Sequence, residues 1–257
     1  LSFKDVMNFL ASKQGERRTA IYGIGAVIEP ARADLGVVSA EGMAATTDAF
    51  AMFEIPFLYG QAWQASDDIR GADVVVLSRK LSEKLFGAVN PLGQRLRMAG
   101  AEFQVVGVLD TWTPRPRFYR YNGRSSAFGE VEEFLIPLAS AIRHEITHSG
   151  GMSCSGQRDP GWQALLDSEC TWFHFWFEMK SASQRADLQN YLDSYVSEQG
   201  KLGRFQRQAK NHLFDVRQFL QERHVVGDDT KLSAWLAFGF LLLCLVNTIG
   251  LLLAKFS

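Results

Sequence analysis

Residues 74–109, VVVLSRKLSEKLFGAVNPLGQRLRMAGAEFQVVGVL, hold the most regular patterning in the chain. Val74 to Leu77 is a short, wholly apolar run of strand length. Ser78 follows it, and a serine hydroxyl there can accept an orphan N–H of the first turn of a helix. Leu81 and Leu85 then lie one helical turn apart, and Gly87 stands where a left-handed residue stops a helix. Asn90-Pro91-Leu92-Gly93 is turn chemistry. From Gln94 to Met98, Leu96 and Met98 alternate with Arg95 and Arg97. Ala99-Gly100 turns the chain, and Phe103 to Leu109 returns as a buried strand. The stretch predicts strand, helix and hairpin.

Upstream, Phe3, Val6, Met7 and Leu10 follow the i, i+3, i+4, i+7 spacing of a one-sided helix, with Gly15 as its end. Thr19 to Glu29 reads as a β-branched and aromatic strand. Pro30 to Asp34 is a turn, Leu35 to Thr47 is extended, and Phe50 to Phe53 is a helical turn closed by Ile55-Pro56. Downstream, Phe134 to Ile136 is a strand, and Pro137 suits the first turn of a helix running to about His148. Trp172 to Met179 is bulky on both faces, which predicts a strand that is central or covered on both sides. Leu188, Tyr191, Leu192 and Tyr195 form the stripe of an amphipathic helix, and Leu213 to Phe219 reads as a strand. The organisation expected is α+β, with two separated α/β pieces and an insertion between them.

Leu232 to Ala254, LSAWLAFGFLLLCLVNTIGLLLA, contains no charged residue, and Lys231 and Lys255 flank it. A helix crossing about 30 Å of hydrocarbon needs about 20 apolar residues, so this run is read as a transmembrane helix. The residues before it form a domain mounted on a membrane. The whole chain has 257 residues, 47% hydrophobic and 21% charged, with net charge −1. That balance argues against wholesale binding to nucleic acid or an anionic surface. No initiator Met, basic n-region or cleavage site is visible, and the start reads as part of something longer. Of three cysteines, Cys244 lies in the apolar run, while Cys154 and Cys170 flank a Gly/Ser/Asp/Pro-rich loop and could close a disulfide in an oxidising compartment. Two unrelated buried thiols are the plainer alternative.

Three other features invite chemical readings. His144-Glu145-Ile146-Thr147-His148 is a literal H-E-x-x-H on the expected helix. Histidines at i and i+4 of a helix can share one Zn²⁺ while the glutamate activates its water. Gly151 even fits the extended form of the motif, but its third ligand position, 154, is Cys, no Met-turn follows, and the supporting helix is short. A solvated helix end therefore outweighs a metallopeptidase built on His144, Glu145 and His148. Arg115, Arg117, Arg120 and Arg124 interleave with Trp112, Phe118, Tyr119 and Tyr121, a pattern met on nucleic-acid surfaces. The rest of the chain is not basic, so a lipid headgroup, a partner protein or solvent is the better occupant. Asp67-Asp68 and Asp228-Asp229 are most simply solvated turns. No P-loop, Gly-rich dinucleotide turn or G-x-S-x-G is present.

The middle of the chain resembles a known family. Gly42-Met43 through Phe50, Ile55-Pro56-Phe57, Gly60-Gln61-Ala62-Trp63 and Asp67-Asp68 look like the opening motifs of the extracytoplasmic domain in MacB-like, FtsX-type ABC transporter permeases. Val74 to Ser78, Leu85-Phe86-Gly87, Asn90-Pro91-Leu92-Gly93, Phe103 to Val108 and Phe134 to Leu138 match its later sections. The resemblance marks Phe50, Pro56, Gly60, Asp67, Asp68, Ser78, Phe86, Gly87, Pro91, Gly93, Gly107 and Pro137 as structural motif residues. It implies a porter-like split α/β subdomain (1–45 and 150–227) with an inserted mixed α/β lobe (46–149), followed by a C-terminal transmembrane helix (228–257). It also implies no catalytic, cofactor or metal site in this chain, with ATP and Mg on a partner ABC ATPase. A permease dimer, a periplasmic adaptor protein and the bacterial inner membrane, with residues 1–230 on its periplasmic or extracellular side, complete the expectation. Gln61 departs from the usual Arg, and the 111–130 and Cys154–Cys170 regions look particular to this protein. An anchored zinc peptidase and a sensor or adhesion domain on one anchor are the alternatives.

Overall fold

The computed structural model describes residues 1–30, 35–121, 127–154, 159–205, 211–225 and 228–256. The chain forms two compact units, Leu1–His212 and Leu213–Ser257. The first is mixed α+β, as the patterning predicts. Its elements run α1 (Phe3–Ala11), β1 (Arg17–Glu29), β2 (Val38–Ala45), α2 (Asp48–Met52), β3 (Phe57–Gly60), α3 (Ala65–Arg70), β4 (Val74–Leu77), α4 (Arg79–Phe86), β5 (Arg95–Met98), β6 (Ala101–Leu109), β7 (Phe134–Pro137), α5 (Leu138–Arg143), α6 (Trp162–Asp167), β8 (His174–Glu178) and α7 (Ala182–Lys201).

Among the described residues the eight strands form one sheet whose pairings close on themselves. β1 pairs β2 antiparallel from Ile21↔Ala45 to Ile28↔Val38. β2 pairs β7 in parallel, β7 pairs β4, β4 pairs β6 in parallel, and β6 pairs β5. β5 returns to β1 at Ile28↔Met98. The earlier half of that same β1 edge takes β8, from Arg17↔Glu178 to Ile21↔His174. β3 attaches to β6 beyond the end of β5.

Because side chains alternate across a strand, the sheet feeds two apolar clusters. Tyr22, Ile24 and Ile28 of β1 share one with Val75, Leu77, Phe103, Val105, Phe134 and Ile136, and with Val6, Leu81, Leu85 and Leu138 from α1, α4 and α5. Ile21, Met43, Val76, Leu109 and Leu135 point the other way, under Phe50, Ile55, Trp63 and Tyr119. The one-residue offset between Leu135 and its neighbours is what separates the two.

The 74–109 stretch folds as its sequence predicts. Ser78 caps α4 by accepting from the Leu81 N–H, and Gly87 closes it at φ 78°. β5 alternates exposed arginines with buried Leu96 and Met98. The structure differs elsewhere. Met7 is exposed and Phe9 takes its place in the core, beside the buried Asp5. α5 ends at Arg143, not near His148. Among the described residues β8 is an edge strand laddered with β1, so of the two expectations it is covered on both sides and not central. Its bulk is explained by cover on both faces: Phe175 and Phe177 meet Phe9, while Trp176 meets Phe53 and Phe118. Residues 31–34 of the expected turn lie outside the described residues.

In the second unit, Leu213 to Phe219 is not a strand. Asp215 accepts from the Gln218 N–H and Gln218 answers the Asp215 N–H, a capping box that starts α8 (Val216–Glu222). α9 spans Asp228–Phe256, and its segment Leu232–Lys255 is long and apolar enough to cross a membrane. Phe103 is fully buried while Val27 is 55% exposed. We expect Phe103→Ala to lower unfolding free energy by about 3–5 kcal/mol and Val27→Ala to change it by under about 0.5 kcal/mol, measured by denaturant titration.

Candidate functional site

The segment between β6 and β7 is held on the sheet by a buried ionic cluster. The Glu132 side chain is 1% exposed, and those of Arg117 and Arg120 are 14% and 15% exposed. Both guanidinium groups donate to Glu132 Oε1 at 2.9 Å, and the Tyr119 hydroxyl donates to Oε2. Burial and the adjacent Glu132 raise the Tyr119 phenol well above its ordinary range, so it stays a donor. Arg120 also donates to the Gly42 carbonyl at 3.2 Å. Its guanidinium lies over Gly23, where a Cβ would stand 2.3 Å from it. The glycine in β1 leaves the space that this arginine fills. Trp176 Nε1 donates to the Tyr119 carbonyl at 2.9 Å and fixes the same segment to β8. The arginine–aromatic pattern is therefore largely an internal brace, not a nucleic-acid surface; Arg115 remains exposed, and Arg124 lies outside the described residues.

A cavity of about 400 Å³ opens beside this brace, between the first turn of α4 and the segments 110–115 and 129–133. Arg79, Lys80, Trp112, Arg115, Glu130 and Glu133 line it. Arg79 pairs with Glu83 at 2.9 Å and Lys80 with Glu130 at 3.7 Å, both in solvent, where such pairs contribute little.

Asp68 is not a solvated turn residue. Gln64 caps α3, its N–H answered by Asp67, and this aims Asp68 inward. Its two oxygens accept from Trp63 Nε1 and the Thr47 N–H, each at 2.7 Å. Trp63 is buried and meets Phe50 edge-on at 4.7 Å. Asp68 thereby ties α3 to the start of α2. Burial pushes its carboxyl up to about 6, against those two hydrogen bonds and with help from Asp48 and Asp67.

The H-E-x-x-H residues do not form a metal site. His144 caps α5, and Glu145 follows at φ 53°, so the helix has ended before the second histidine. His144 Nε2 meets Asp73 Oδ1 at 2.8 Å, an oxygen that also accepts from Ser140 and Arg143. Burial pushes Asp73 up, but the bonds from Arg143, Ser140 and His144 outweigh it and leave its carboxyl lowered. His148 bridges to Ile24 of β1 and stacks on Trp172 at 5.6 Å. Among the described residues no group of three His, Cys, Asp or Glu is placed to hold a metal. That geometry does not support a zinc metallopeptidase built on His144, Glu145 and His148.

The remaining motif residues are joints of the fold. Gly60 and Gly107 face each other across β3 and β6, and a Cβ on Gly60 would stand 2.2 Å from the Val106 carbonyl oxygen. Pro56 accepts from the Asp110 N–H, Gly93 donates to Val105, Pro91 accepts from Gln94, and Pro137 precedes α5. Phe86 packs against the larger apolar cluster. The structure joins Cys154 to Cys170, with Cα atoms 4.1 Å apart.

A second ionic cluster went unread in the sequence. Arg204, just past α7, donates to both oxygens of Glu169 at 2.8 Å and to Asp5 Oδ1 at 2.9 Å. Tyr195 donates to Asp5 at 2.8 Å. The bonds to Glu169 raise the Arg204 guanidinium further, and burial raises but the bonds from Ser2, Tyr195 and Arg204 lower the Asp5 carboxyl. One signal was available: Ser2-Phe3-Lys4-Asp5 is a capping box, which places Asp5 in the first turn of α1.

Two outcomes test these sites. Glu132→Gln leaves two arginines without their carboxylate, and we expect a loss of about 3–5 kcal/mol in unfolding free energy. Asp68 carries the opposite sign from most carboxylates. Its folded value, about 6, lies above the ordinary 3.8, so the fold favours the protonated form. The stability it supplies is greatest below about pH 4 and falls as pH rises through 6. Melting temperatures from pH 4.5 to 7.5 should show wild type losing ground to Asp68→Asn as pH rises; parallel curves would contradict the assignment.

The MacB-like periplasmic core domain family matches residues 11–195. Over 93 residues the chain is 42% identical to the pyoverdine export ATP-binding/permease protein PvdT of Pseudomonas entomophila (strain L48), a match covering 35% of this chain and 13% of that protein. The chain thus spans a small part of that relative. The periplasmic region of MacB from Actinobacillus actinomycetemcomitans superposes with a TM-score of 0.50 at 14% identity, over 77% of this chain and 75% of that one. The extracellular domain of the noncanonic ABC-type transporter YknZ from Gram-positive bacteria gives 0.48 at 13% identity, over 77% and 84%. The MacB likeness shows the fold, and the family match runs from the end of α1 into α7. The chain belongs to the MacB-like periplasmic core domain family of ABC transporter permeases.

Proposed function

We propose that this chain is the part of an ABC permease that turns cytoplasmic ATP hydrolysis into movement outside the membrane. The observation that carries the reading is the family match over residues 11–195, followed in the same chain by an apolar helix of membrane-spanning length. A partner ABC ATPase would hold ATP and Mg, and this chain would supply no cofactor and no covalent step. The work is mechanical, by domain displacement driven from the membrane. PvdT is by name an export protein, which favours export as the form of that work. The setting proposed is the bacterial inner membrane, with residues 1–230 on the periplasmic side, a second permease copy, and a periplasmic adaptor as a further partner.

Of the expected porter pieces, 1–45 and 150–227, we propose that the parts within the first unit, 1–45 and 150–212, belong together and that 46–149 is inserted. The pairing of β8 with β1, and the packing of Phe9 from α1 against Tyr195 of α7 at 5.0 Å, support the grouping. The Cys154–Cys170 bond suits an oxidising compartment outside the cytoplasm. The test is affinity purification of the full-length protein from its native membrane. An ATPase should co-purify, and its nucleotide hydrolysis should change exchange or cross-linking within residues 1–212. Repeated absence of any ATPase would overturn the reading.

A further inference from the structure

Residues 169–173 have no regular secondary structure beyond one bridge at Thr171, yet they gather bonds from three distant parts of the first unit. Glu169 takes both arms of Arg204, at the end of α7. Cys170, 2% exposed, is joined to Cys154. Thr171 exchanges two backbone bonds with Ser153, at 3.1 and 2.7 Å. The Trp172 and Phe173 N–H groups donate to the Leu1 carbonyl at 3.2 and 3.3 Å, and the Leu1 nitrogen donates to Phe173 at 3.1 Å. β8 begins at the next residue, His174, and pairs with β1.

An irregular run has no ladder of its own to hold it, so its position is set by these attachments. Only one of them is covalent. Without the disulfide, the Ser153–Thr171 pair is a lone two-bond bridge, which opens far more easily than a strand of a sheet. Arg204 extends the attachment to α1 by donating to Asp5 at 2.9 Å and to the Ser2 hydroxyl at 3.3 Å. Asn8 of α1 donates to the Tyr195 hydroxyl at 3.0 Å, which strengthens the same seam. Along the chain, Arg204 precedes the apolar helix α9 with α8 alone between them among the described elements. Any pull on that stretch of chain is met in the first unit by α7 and by Arg204.

We propose that the Cys154–Cys170 disulfide is the pin of a junction at residues 169–173. That junction passes displacement of the segment after α7 through β8 to β1, alongside the direct bonds that already join α7 and Arg204 to α1. The bond is not a mere closure of a surface loop. It fixes the run to which both the start of α1 and the end of α7 are fastened. This rests on the proposed mechanical role, and one experiment separates the two.

The experiment is hydrogen exchange with mass spectrometry on the full-length permease with its ATPase in a lipid bilayer, with and without ATP. Wild type is compared with the Cys154→Ser/Cys170→Ser double variant. Without ATP, exchange in residues 1–11 and 195–204 of the variant should rise roughly tenfold while β4 and β6 are unchanged. With ATP, wild type should respond in 195–204 and in the β8-paired residues 17–21 of β1, and the variant should respond in 195–204 without the response in 17–21. Acceleration confined to 150–171, or an ATP response in residues 17–21 that survives in the variant, overturns the junction and leaves the mechanical role standing. No ATP response anywhere in wild type overturns both. Glu169→Gln, with the disulfide intact, covers a double variant that does not fold: it should loosen 195–204, and unchanged exchange there also overturns the proposal.

Discussion

The fold depends on how β1 divides its two edges. This strand, Arg17–Glu29, pairs β2 along one edge from Ile21 to Ile28 and splits the other between β8 near its start and β5 at its end. A shorter strand could not take three partners. The split closes the pairing path through β2, β7, β4, β6 and β5 and leaves fewer raw edges than an open sheet of the same length. It also fixes register. A slip of one residue in β1 would exchange Tyr22 and Ile24 with Ile21 and reverse which cluster each one fills.

Closure creates the need that the charged brace meets. Between β6 and β7 the chain travels through residues 110–133 with one short turn of 3₁₀ helix and no strand among its described residues. Such a segment has few backbone partners of its own. Glu132 supplies a common acceptor for Arg117, Arg120 and Tyr119, and Trp176 adds a bond from β8. A buried pair of this kind adds little net stability over well-packed apolar groups. Its value here is placement, because Arg120 fits over one glycine, Gly23, and reaches the carbonyl of another, Gly42.

Local patterning made the 74–109 unit legible in the sequence. Ser78, Leu81, Leu85 and Gly87 each act through neighbours within a helical turn, and the alternation of β5 and β6 needs no distant partner to be seen. Most of what escaped was non-local, with one local exception. Leu213 to Phe219 is apolar enough for a strand, but the Asp215–Gln218 capping box commits it to a helix. β8 carries aromatics on both faces, which leaves a central strand and one covered on both sides equally open; among the described residues it is the second, with β1 as its ladder partner. Asp68 sits in an acidic pair that composition alone places in solvent, yet its partners Trp63 and Thr47 bury it. Arg204 and Glu169 are 35 residues apart and share no motif.

The H-E-x-x-H shows where spacing stops carrying chemistry. Two histidines four apart reach one metal only while the backbone stays helical, and here Glu145 takes the left-handed conformation immediately after His144. Each of the two histidines is then claimed by the fold. His144 joins Arg143 and Ser140 on Asp73, so the end of α5 is fixed to the residue before β4. His148 lies along β1 and against Trp172, one residue from the carbonyl that holds the Leu1 nitrogen. The same five letters that suggest a hydrolytic centre serve as two points of attachment, one on each side of a turn. Like the Glu132 and Arg204 clusters, they use charged and aromatic groups to join distant parts of the domain.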